Sequence, residues 1–184
     1  IGSPTSRKIM RGLNPGSPKE CGAEILSGRH LPPEWRGTFV TNDFRAHRVR
    51  RYRISENGAG YASKQVSEPL RSKHISFRPV DVKMGPDGAI YFADWYNPII
   101  QHGEVDFRSP MRNRQHGRVW RLSAKGRALV KRPELAEAPE GKLLEHLKDP
   151  EDWTRHHAKR VLSHRPRADV ARALKEWIGK LDPE

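Results

Sequence analysis

The apolar residues of this chain change their spacing once, between residues 123 and 139. Before that stretch they alternate with polar residues, as in half-buried strands, and after it they recur every three or four positions, as on one face of a helix. The stretch itself is charged and interrupted by proline. The sequence therefore predicts a β part over residues 21–123, a linker over 124–139 and an α-helical segment over 140–184, after an irregular segment over 1–20.

Short predicted strands separated by turn sequences fill the β part. The predicted strands are 37–41, 47–54, 61–66, 79–84, 89–94 and 117–122. Asn57-Gly58 favours a tight hairpin, and Gly85-Pro86-Asp87-Gly88 combines a proline that presets φ with glycines that accept positive φ. Meanders of this kind are typical of β-propeller blades. We therefore predict a mainly β fold, a partial β-propeller of about two four-stranded blades, followed by helices.

The length of the β part predicts that the chain is a fragment of a longer protein. Two blades alone would leave open sheet edges, which closed propellers avoid. The chain also begins at Ile1 rather than at methionine, and it contains neither a signal-peptide pattern nor an apolar stretch of membrane length. Any association with a membrane is accordingly expected only through segments outside this sequence.

The last 45 residues show start and stop signals of helices. Asp149 is a good N-cap in front of Pro150, and Arg165-Pro166 ends the helix that follows. Asp169 is predicted to open the next helix, and residues 141–147 form a shorter one. Helices joined by short loops are the unit of an α-solenoid, so we predict the beginning of a HEAT-like repeat array.

A formal net charge of +13 and five arginines between residues 45 and 53 raise the question of nucleic-acid binding. A nucleic-acid reader usually shows a reading element such as a helix-turn-helix, and we find none. Arginine stems that cover an outward strand face explain the run as well. We therefore expect no nucleic acid as a partner. The single cysteine, Cys21, has no second cysteine with which to form a disulfide or a redox pair.

An ordered series of motifs over about a hundred residues resembles the membrane-bound dehydrogenase domain of planctomycete-type bacteria, whose propeller is akin to sorbosone and glucose dehydrogenases. The motifs are Cys21-Gly22, Ser-Gly-Arg-His-Leu-Pro at 27–32, Phe-Arg-Pro-Val-Asp at 77–81, the run from Gly85 to Ile100, Phe-Arg-Ser-Pro at 107–110 and His-Gly-Arg-Val-Trp-Arg at 116–121.

This resemblance implies a periplasmic or cell-envelope quinoprotein-like dehydrogenase that oxidises a sugar or an alcohol and passes electrons to a c-type cytochrome, fused or separate. The cofactor itself stays open, and the resemblance points to pyrroloquinoline quinone (PQQ) and calcium. The sequence has no Cys-x-x-Cys-His motif. Haem c is therefore expected only in a C-terminal part outside this sequence.

The candidate site is the long segment that follows the strand at 89–94. The polar side chains gathered there make Asp94, His102 and His116 the candidate catalytic residues and Asn97, Arg108 and Arg118 the candidate cofactor-binding residues. A histidine poised near neutral pH can take the proton of a substrate hydroxyl. No metal ligands are predicted, because the acids lack the spacing of a known calcium loop. We expect Asp94, Asn97, His102 and Arg108 to face one concavity.

Two alternatives stay open for these residues and for the chain. An aspartate at a strand end often fastens a turn to backbone N–H groups, and a histidine directly before a strand often forms a structural corner. The chain as a whole is then a non-catalytic propeller and solenoid scaffold that binds carbohydrate or protein.

Overall fold

Two antiparallel sheets and three α-helices make up the part of the chain that the computed structural model describes, residues 19–101 and 103–181. The first sheet contains β1 (Glu20–Ile25), β2 (Phe39–Asp43), β3 (Arg48–Asn57) and β4 (Gly60–Arg71), and the second contains β5 (Pro79–Met84), β6 (Ile90–Asp94) and β7 (Arg118–Leu122). In both sheets the spatial order equals the chain order, and every neighbouring pair is antiparallel.

The prediction of a mainly β fold followed by helices is confirmed. The second sheet has three strands rather than the predicted four, because residues 123–139 do not return as a strand beside β7. Two sheets do not close a ring. The partial propeller of about two blades therefore stays a prediction.

The two predicted turns form for the expected reasons. Asn57 pairs with Gly60, so that Gly58 and Ala59 are the two-residue loop between β3 and β4, and Gly58 has a φ of +60°. Gly88 has a φ of +76°, and a Cβ atom there would lie 2.9 Å from the Cβ atom of His30. A side chain at Gly88 would therefore be strained and crowded at once.

Apolar side chains from both sheets and from the segment between β1 and β2 form one core. The buried members are Leu26, Leu31, Val40, Val49, Val82, Met84, Ile90 and Phe92. Val82 and Met84 lie on the core face of β5 as the alternation predicts, and Lys83 between them is exposed. The period-two pattern of this strand thus fixes which face of the second sheet meets the first.

Strand β1 is the element that sequence reasoning missed. Its register shifts between Cys21 and Ala23, and Gly22 at the bulge has a φ of +68°. A Cβ atom on Gly22 would lie 2.9 Å from the Cα atom of Asp81, so β1 approaches β5 closely at this point. The bulge interrupts the alternation that would have revealed the strand.

The arginine run lies on β3 and in the turn before it, and the prediction that it forms an outward face is wrong for Arg50 and Arg51. Both are buried, whereas Arg45 and Arg53 are exposed. Three arginines of the run donate within the protein: Arg48 to Asp43 and Glu68, Arg50 to Glu20 and Gln65, and Arg51 to Ser67 and the carbonyl of Glu34. Arg50 and Arg51 are buried because acceptors on neighbouring segments satisfy them.

The helical part begins 18 residues after β7 ends. Its α-helices are α1 (Glu140–Glu145), α2 (Asp152–Ser163) and α3 (Arg167–Ile178), with a 3₁₀ turn over His146–Lys148. They share a second buried cluster, which consists of Leu135, Ala138, Leu143, Leu144, Ala158 and Leu162. Within the described residues, none of the helices has the length and apolar character needed to cross a bilayer.

Both predicted helix starts are displaced. The Oδ1 atom of Asp149 accepts the N–H of Glu151 at 2.8 Å, which closes a turn before α2 instead of capping it. Glu151 occupies the N-cap position, but its carboxylate binds the backbone N–H and the Nε of Arg29 at 3.1 and 2.6 Å. Helix α3 begins at Arg167 rather than at Asp169. Tertiary contacts therefore determine which hydrogen bonds the side chains before α2 make.

The stretch between the two parts packs onto the β part. The Nε2 atom of His30 accepts the N–H of Ala124 at 2.8 Å, so the ring proton lies on Nδ1, which donates to the carbonyl of Ala128 at 2.9 Å. The N–H of Val130 donates to the carbonyl of Asp87 at 2.9 Å. These bonds hold residues 124–130 against the turn between β5 and β6.

Asn42 of β2 is expected to be a weak point of the core. It is fully buried, and neither its Oδ1 nor its Nδ2 has a partner among the described residues. A buried amide without a hydrogen bond costs about 1–3 kcal/mol. We therefore expect Asn42→Leu, which is close in shape, to raise the free energy of unfolding by about 1 kcal/mol in urea titrations.

Thr41→Val is the matched comparison for this substitution. The Thr41 hydroxyl donates to the carbonyl of Gly22 at 2.8 Å, so its loss should lower the free energy of unfolding by about 1 kcal/mol. A fall of similar size for Asn42→Leu would contradict the prediction and show that the Asn42 amide is satisfied.

Candidate functional site

Three loops meet at one end of the two sheets, which we call the loop end. They are the loops at 44–47 between β2 and β3, at 72–78 between β4 and β5, and at 95–117 between β6 and β7. A ring nitrogen of His47 lies 2.8 Å from the carbonyl oxygen of Phe77, and the Ser72 N–H donates to the carbonyl of His47 at 2.9 Å. Loops held by a rigid sheet are where binding sites are commonly placed.

Arg78 binds these loops together. Its guanidinium is buried and donates to the carbonyl oxygens of Phe44, Asn97 and Pro98 at 2.9, 2.8 and 3.0 Å. Burial lowers the pKa of Arg78, and the nearby charge of Asp94 opposes that shift. The side chain connects the 44–47 loop of the first sheet to the 95–117 loop of the second.

Asp94, at the end of β6, fastens the start of the long loop. Its carboxylate is fully buried and receives hydrogen bonds on both oxygens. Oδ1 accepts the backbone N–H groups of Arg78 and Tyr96 at 2.8 and 2.9 Å, and Oδ2 accepts Arg118 Nε at 2.8 Å and Trp120 Nε1 at 3.0 Å. Burial alone would raise the pKa of Asp94, but these hydrogen bonds outweigh it and hold the pKa below its usual range.

Asn97 is buried a few residues further along the same loop. Its Nδ2 donates to the carbonyl of Asn113 at 3.0 Å, and its Oδ1 accepts the N–H of Ile99 at 3.1 Å. The amide therefore joins the beginning of the loop to its end. Like Asp94, Asn97 is a buried side chain that fixes the conformation of the loop.

Tyr96 occupies the centre of an aromatic and cationic cluster. Its φ of +53° lies in the left-handed region, which is uncommon for a residue other than glycine. The ring stacks on His74 with centroids 5.7 Å apart and meets the edge of His116 at 5.9 Å, while the guanidinium carbon of Arg118 lies 4.0 Å from its centroid. The left-handed backbone of Tyr96, whose N–H bonds Asp94, is locally strained. Local strain of this kind is found at functional sites.

A polar cleft of about 500 Å³ opens at the loop end. It is lined by Ser76, Tyr96, Pro98 and residues 109–116. His116 is exposed at the cleft, and its Nδ1 lies within 3.1 Å of the side-chain amide of Asn113. Asn113 Oδ1 also accepts the N–H groups of Gln115 and His116 at 3.1 and 2.9 Å. Asn113 therefore holds both the ring and the backbone of His116.

Among the six predicted site residues, His116 is the one that lines this cleft. Asp94 and Asn97 lie beneath it, and Arg118 pairs with Asp94 instead. Arg108 is exposed and does not line the cleft; its backbone N–H donates to Asp106 at 2.7 Å. His102 lies outside the described residues. The expected shared concavity of Asp94, Asn97 and Arg108 is therefore wrong, because the first two are buried in loop-fastening bonds and the third lies away from the cleft.

Sequence reasoning missed the residues that build the cleft. Arg112 donates to the carbonyl oxygens of Gln101, Val105 and Asp106 at 2.8, 2.7 and 3.1 Å, so that it closes the 101–112 segment on itself. Asn113 holds His116 as described. An amide three residues before a histidine could have signalled such a support, because asparagine readily bonds backbone N–H groups two and three positions ahead.

The fold and the cleft define a protein of two antiparallel β-meanders whose loops meet around a polar cleft. A family model matches residues 15–126, more than half of the chain, and the chain belongs to that family, a domain of unknown function designated DUF7133. No curated protein and no solved structure matches the chain.

Proposed function

We propose that the chain is part of a cell-envelope dehydrogenase that acts on a sugar or another alcohol, and that the loop-end cleft binds the substrate. The lining of the cleft supports this. Ser76, Tyr96, Asn113 and Gln115 offer neutral donors and acceptors beside His116, Arg112 and Arg114, and no carboxylate lies among the lining residues. Neutral polar groups of this kind exchange hydrogen bonds with the hydroxyls of a carbohydrate.

His116 is the proposed base, and its position is the observation on which the function rests. Asn113 holds the ring at Nδ1, and within the described residues Nε2 makes no hydrogen bond. When Nδ1–H donates to Oδ1 of Asn113, Nε2 of the neutral ring is unprotonated and can accept a proton. A substrate hydroxyl within hydrogen-bond reach of Nε2 can transfer its proton there.

The resemblance implies PQQ with calcium, and the described residues do not fit this pair. Calcium takes roughly six to eight oxygen ligands. Residues 19–101 and 103–181 contain no group of three or more His, Cys, Asp or Glu side chains that could hold a metal ion. The carboxylate of Asp94 and the guanidinium of Arg112 are engaged within the loop. We therefore assign substrate binding and the base to this chain, and no step that involves the cofactor.

A non-catalytic scaffold that binds carbohydrate is the second candidate. Asp94 and Asn97 favour this candidate, because both are predicted site residues and yet both are buried and hydrogen-bond within the loop. A c-type cytochrome remains the expected partner of the first candidate and is not needed by the second.

We expect His116→Gln, made in the full-length protein, to lower sugar-dependent reduction of an artificial electron acceptor by about a hundredfold or more, the usual scale for loss of a general base. Glutamine keeps a polar side chain but cannot take up the proton. The melting temperature should change little, because His116 is exposed. Steady-state dye reduction with a panel of aldoses and alcohols measures the effect.

His164→Gln is the matched control, since His164 is an exposed histidine at the end of α2. It should leave dye reduction unchanged. Equal rates for the protein and for His116→Gln would contradict the assignment of the base. Sugar binding that His116→Gln weakens, without dye reduction by either protein, would favour the scaffold.

A further inference from the structure

The second sheet ends in a free edge. The first sheet continues from β3 to a long fourth strand, β4, whereas β7 has no further strand beside it within residues 19–101 and 103–181. Val119 and Trp120 of β7 are 75% and 43% exposed. A strand edge with exposed apolar side chains is a template for pairing with another chain, and soluble proteins usually cover it.

An apolar groove of about 310 Å³ runs between this edge and the end of β4. Leu70, Phe77, Phe92, Trp120 and Leu122 supply its apolar lining. Trp120 and Leu122 lie on the same face of the second sheet as Phe92 and Ile90, with which they pair across β6 and β7. A strand added beside β7 would place every second side chain over this groove.

The charged side chains that line the groove are cations. Arg71, Arg118 and Arg121 line it, and no carboxylate does. The side chains of Arg71 and Arg121 are 58% and 50% exposed, and each has one carboxylate partner, Glu68 and Asp87 respectively. The carboxylate partners are only 22% and 15% exposed, so it is the guanidinium side of each pair that faces solvent and can also attract an approaching anion.

We propose that β7 and the groove bind an extended segment of an acidic partner protein, which adds as a fourth strand. Its main chain pairs with the free edge of β7, its apolar side chains enter the groove, and its carboxylates meet Arg71 and Arg121. Strand addition of this kind takes affinity from main-chain hydrogen bonds and specificity from the alternate side chains.

Electrostatic repulsion disfavours two other occupants of the groove, a second copy of the chain and residues 1–18. Pairing of β7 with β7 of a second copy would place Arg118 and Arg121 of both copies along one short edge. Residues 1–18 contain Arg7, Lys8 and Arg11 and no acidic residue, so they would bring more positive charge to a basic groove. An acidic segment is the occupant that complements it.

A labelled synthetic decapeptide that alternates valine and glutamate is the probe, with a valine and lysine decapeptide as its control. Fluorescence anisotropy with the 184-residue chain should show binding of the acidic peptide and none of the basic one. The double variant Arg71→Glu with Arg121→Glu should weaken binding at least tenfold. The double variant Arg45→Glu with Arg53→Glu changes two exposed arginines elsewhere and should weaken it less than twofold.

Hydrogen exchange locates the bound peptide. The amides of residues 118–122 should exchange more slowly when the acidic peptide is present, and those of α3 should not change. Equal weakening by the two double variants, or no protection of residues 118–122, would overturn the proposal. A dimer of the chain alone with these amides already protected would assign the edge to a second copy, and would overturn it as well.

Discussion

Replacing Asp94 with asparagine is expected to lower the free energy of unfolding by about 3 kcal/mol, because a fully buried carboxylate loses hydrogen bonds that contribute about 1.5–3 kcal/mol each. The carboxylate is fully buried and accepts from Arg118 and Trp120 through one oxygen and from two backbone N–H groups through the other. Asparagine fills the same space but turns one acceptor into a donor that faces other donors. Urea denaturation followed by tryptophan fluorescence measures the change.

Asp106→Asn is the control for this substitution, because Asp106 is an exposed aspartate in the same loop. Its effect should stay within about 0.5 kcal/mol. A loss below about 1 kcal/mol for Asp94→Asn would contradict the fastening role. Such a result would leave Asp94 free for the predicted catalytic role.

The pKa of Asp94 adds a dependence on pH to this comparison. Because the folded state holds the pKa below its usual range, the carboxylate stabilises the fold above the pKa of the unfolded state, and this contribution is lost as the pH falls through the folded pKa. The difference in free energy of unfolding between the unmodified protein and Asp94→Asn should therefore be largest at neutral pH and should decrease below about pH 4.

Local patterns predicted most of the sheets. Strands β5 and β6 and the β3–β4 hairpin could be predicted from the sequence. Their signals, the alternation at 79–84 and 89–94 and the Asn57-Gly58 turn, depend only on residues that are close in the sequence. Strand β1 was not, because the bulge at Gly22 is set by its close approach to β5, 59 residues away at Asp81. The start of α2 was displaced for the same kind of reason, since Arg29 takes the carboxylate of Glu151.

The candidate site was predictable as a segment but not residue by residue. Composition pointed to the loop after β6, and that loop does form the cleft. A polar side chain of this loop can face the cleft only if it does not form the hydrogen bonds that hold the loop in place. Asp94 and Asn97 are satisfied by atoms that the fold brings from positions 78 and 113, and no spacing in the sequence encodes those contacts. His116 was within reach because its support, Asn113, is only three residues away.

Replacing Arg78 with methionine is expected to lower the free energy of unfolding by about 3 kcal/mol or more, because hydrogen bonds to a charged group contribute about 1.5–3 kcal/mol each. Methionine keeps much of the length of the side chain and its apolar contacts. It leaves the carbonyl groups of Phe44, Asn97 and Pro98 without the guanidinium that now satisfies them.

The same substitution should separate the two loops that Arg78 joins. Amides in the 44–47 and 95–101 segments should exchange hydrogen faster in Arg78→Met, while those of α2 should not change, because the hydrogen bonds of Arg78 among the described residues all lie within the β part. Arg108→Met is the control at an exposed arginine of the same loop end, and it should alter neither quantity. If Arg78→Met lowered stability without faster exchange in those two segments, the guanidinium would contribute to the core between the sheets rather than to the loop end.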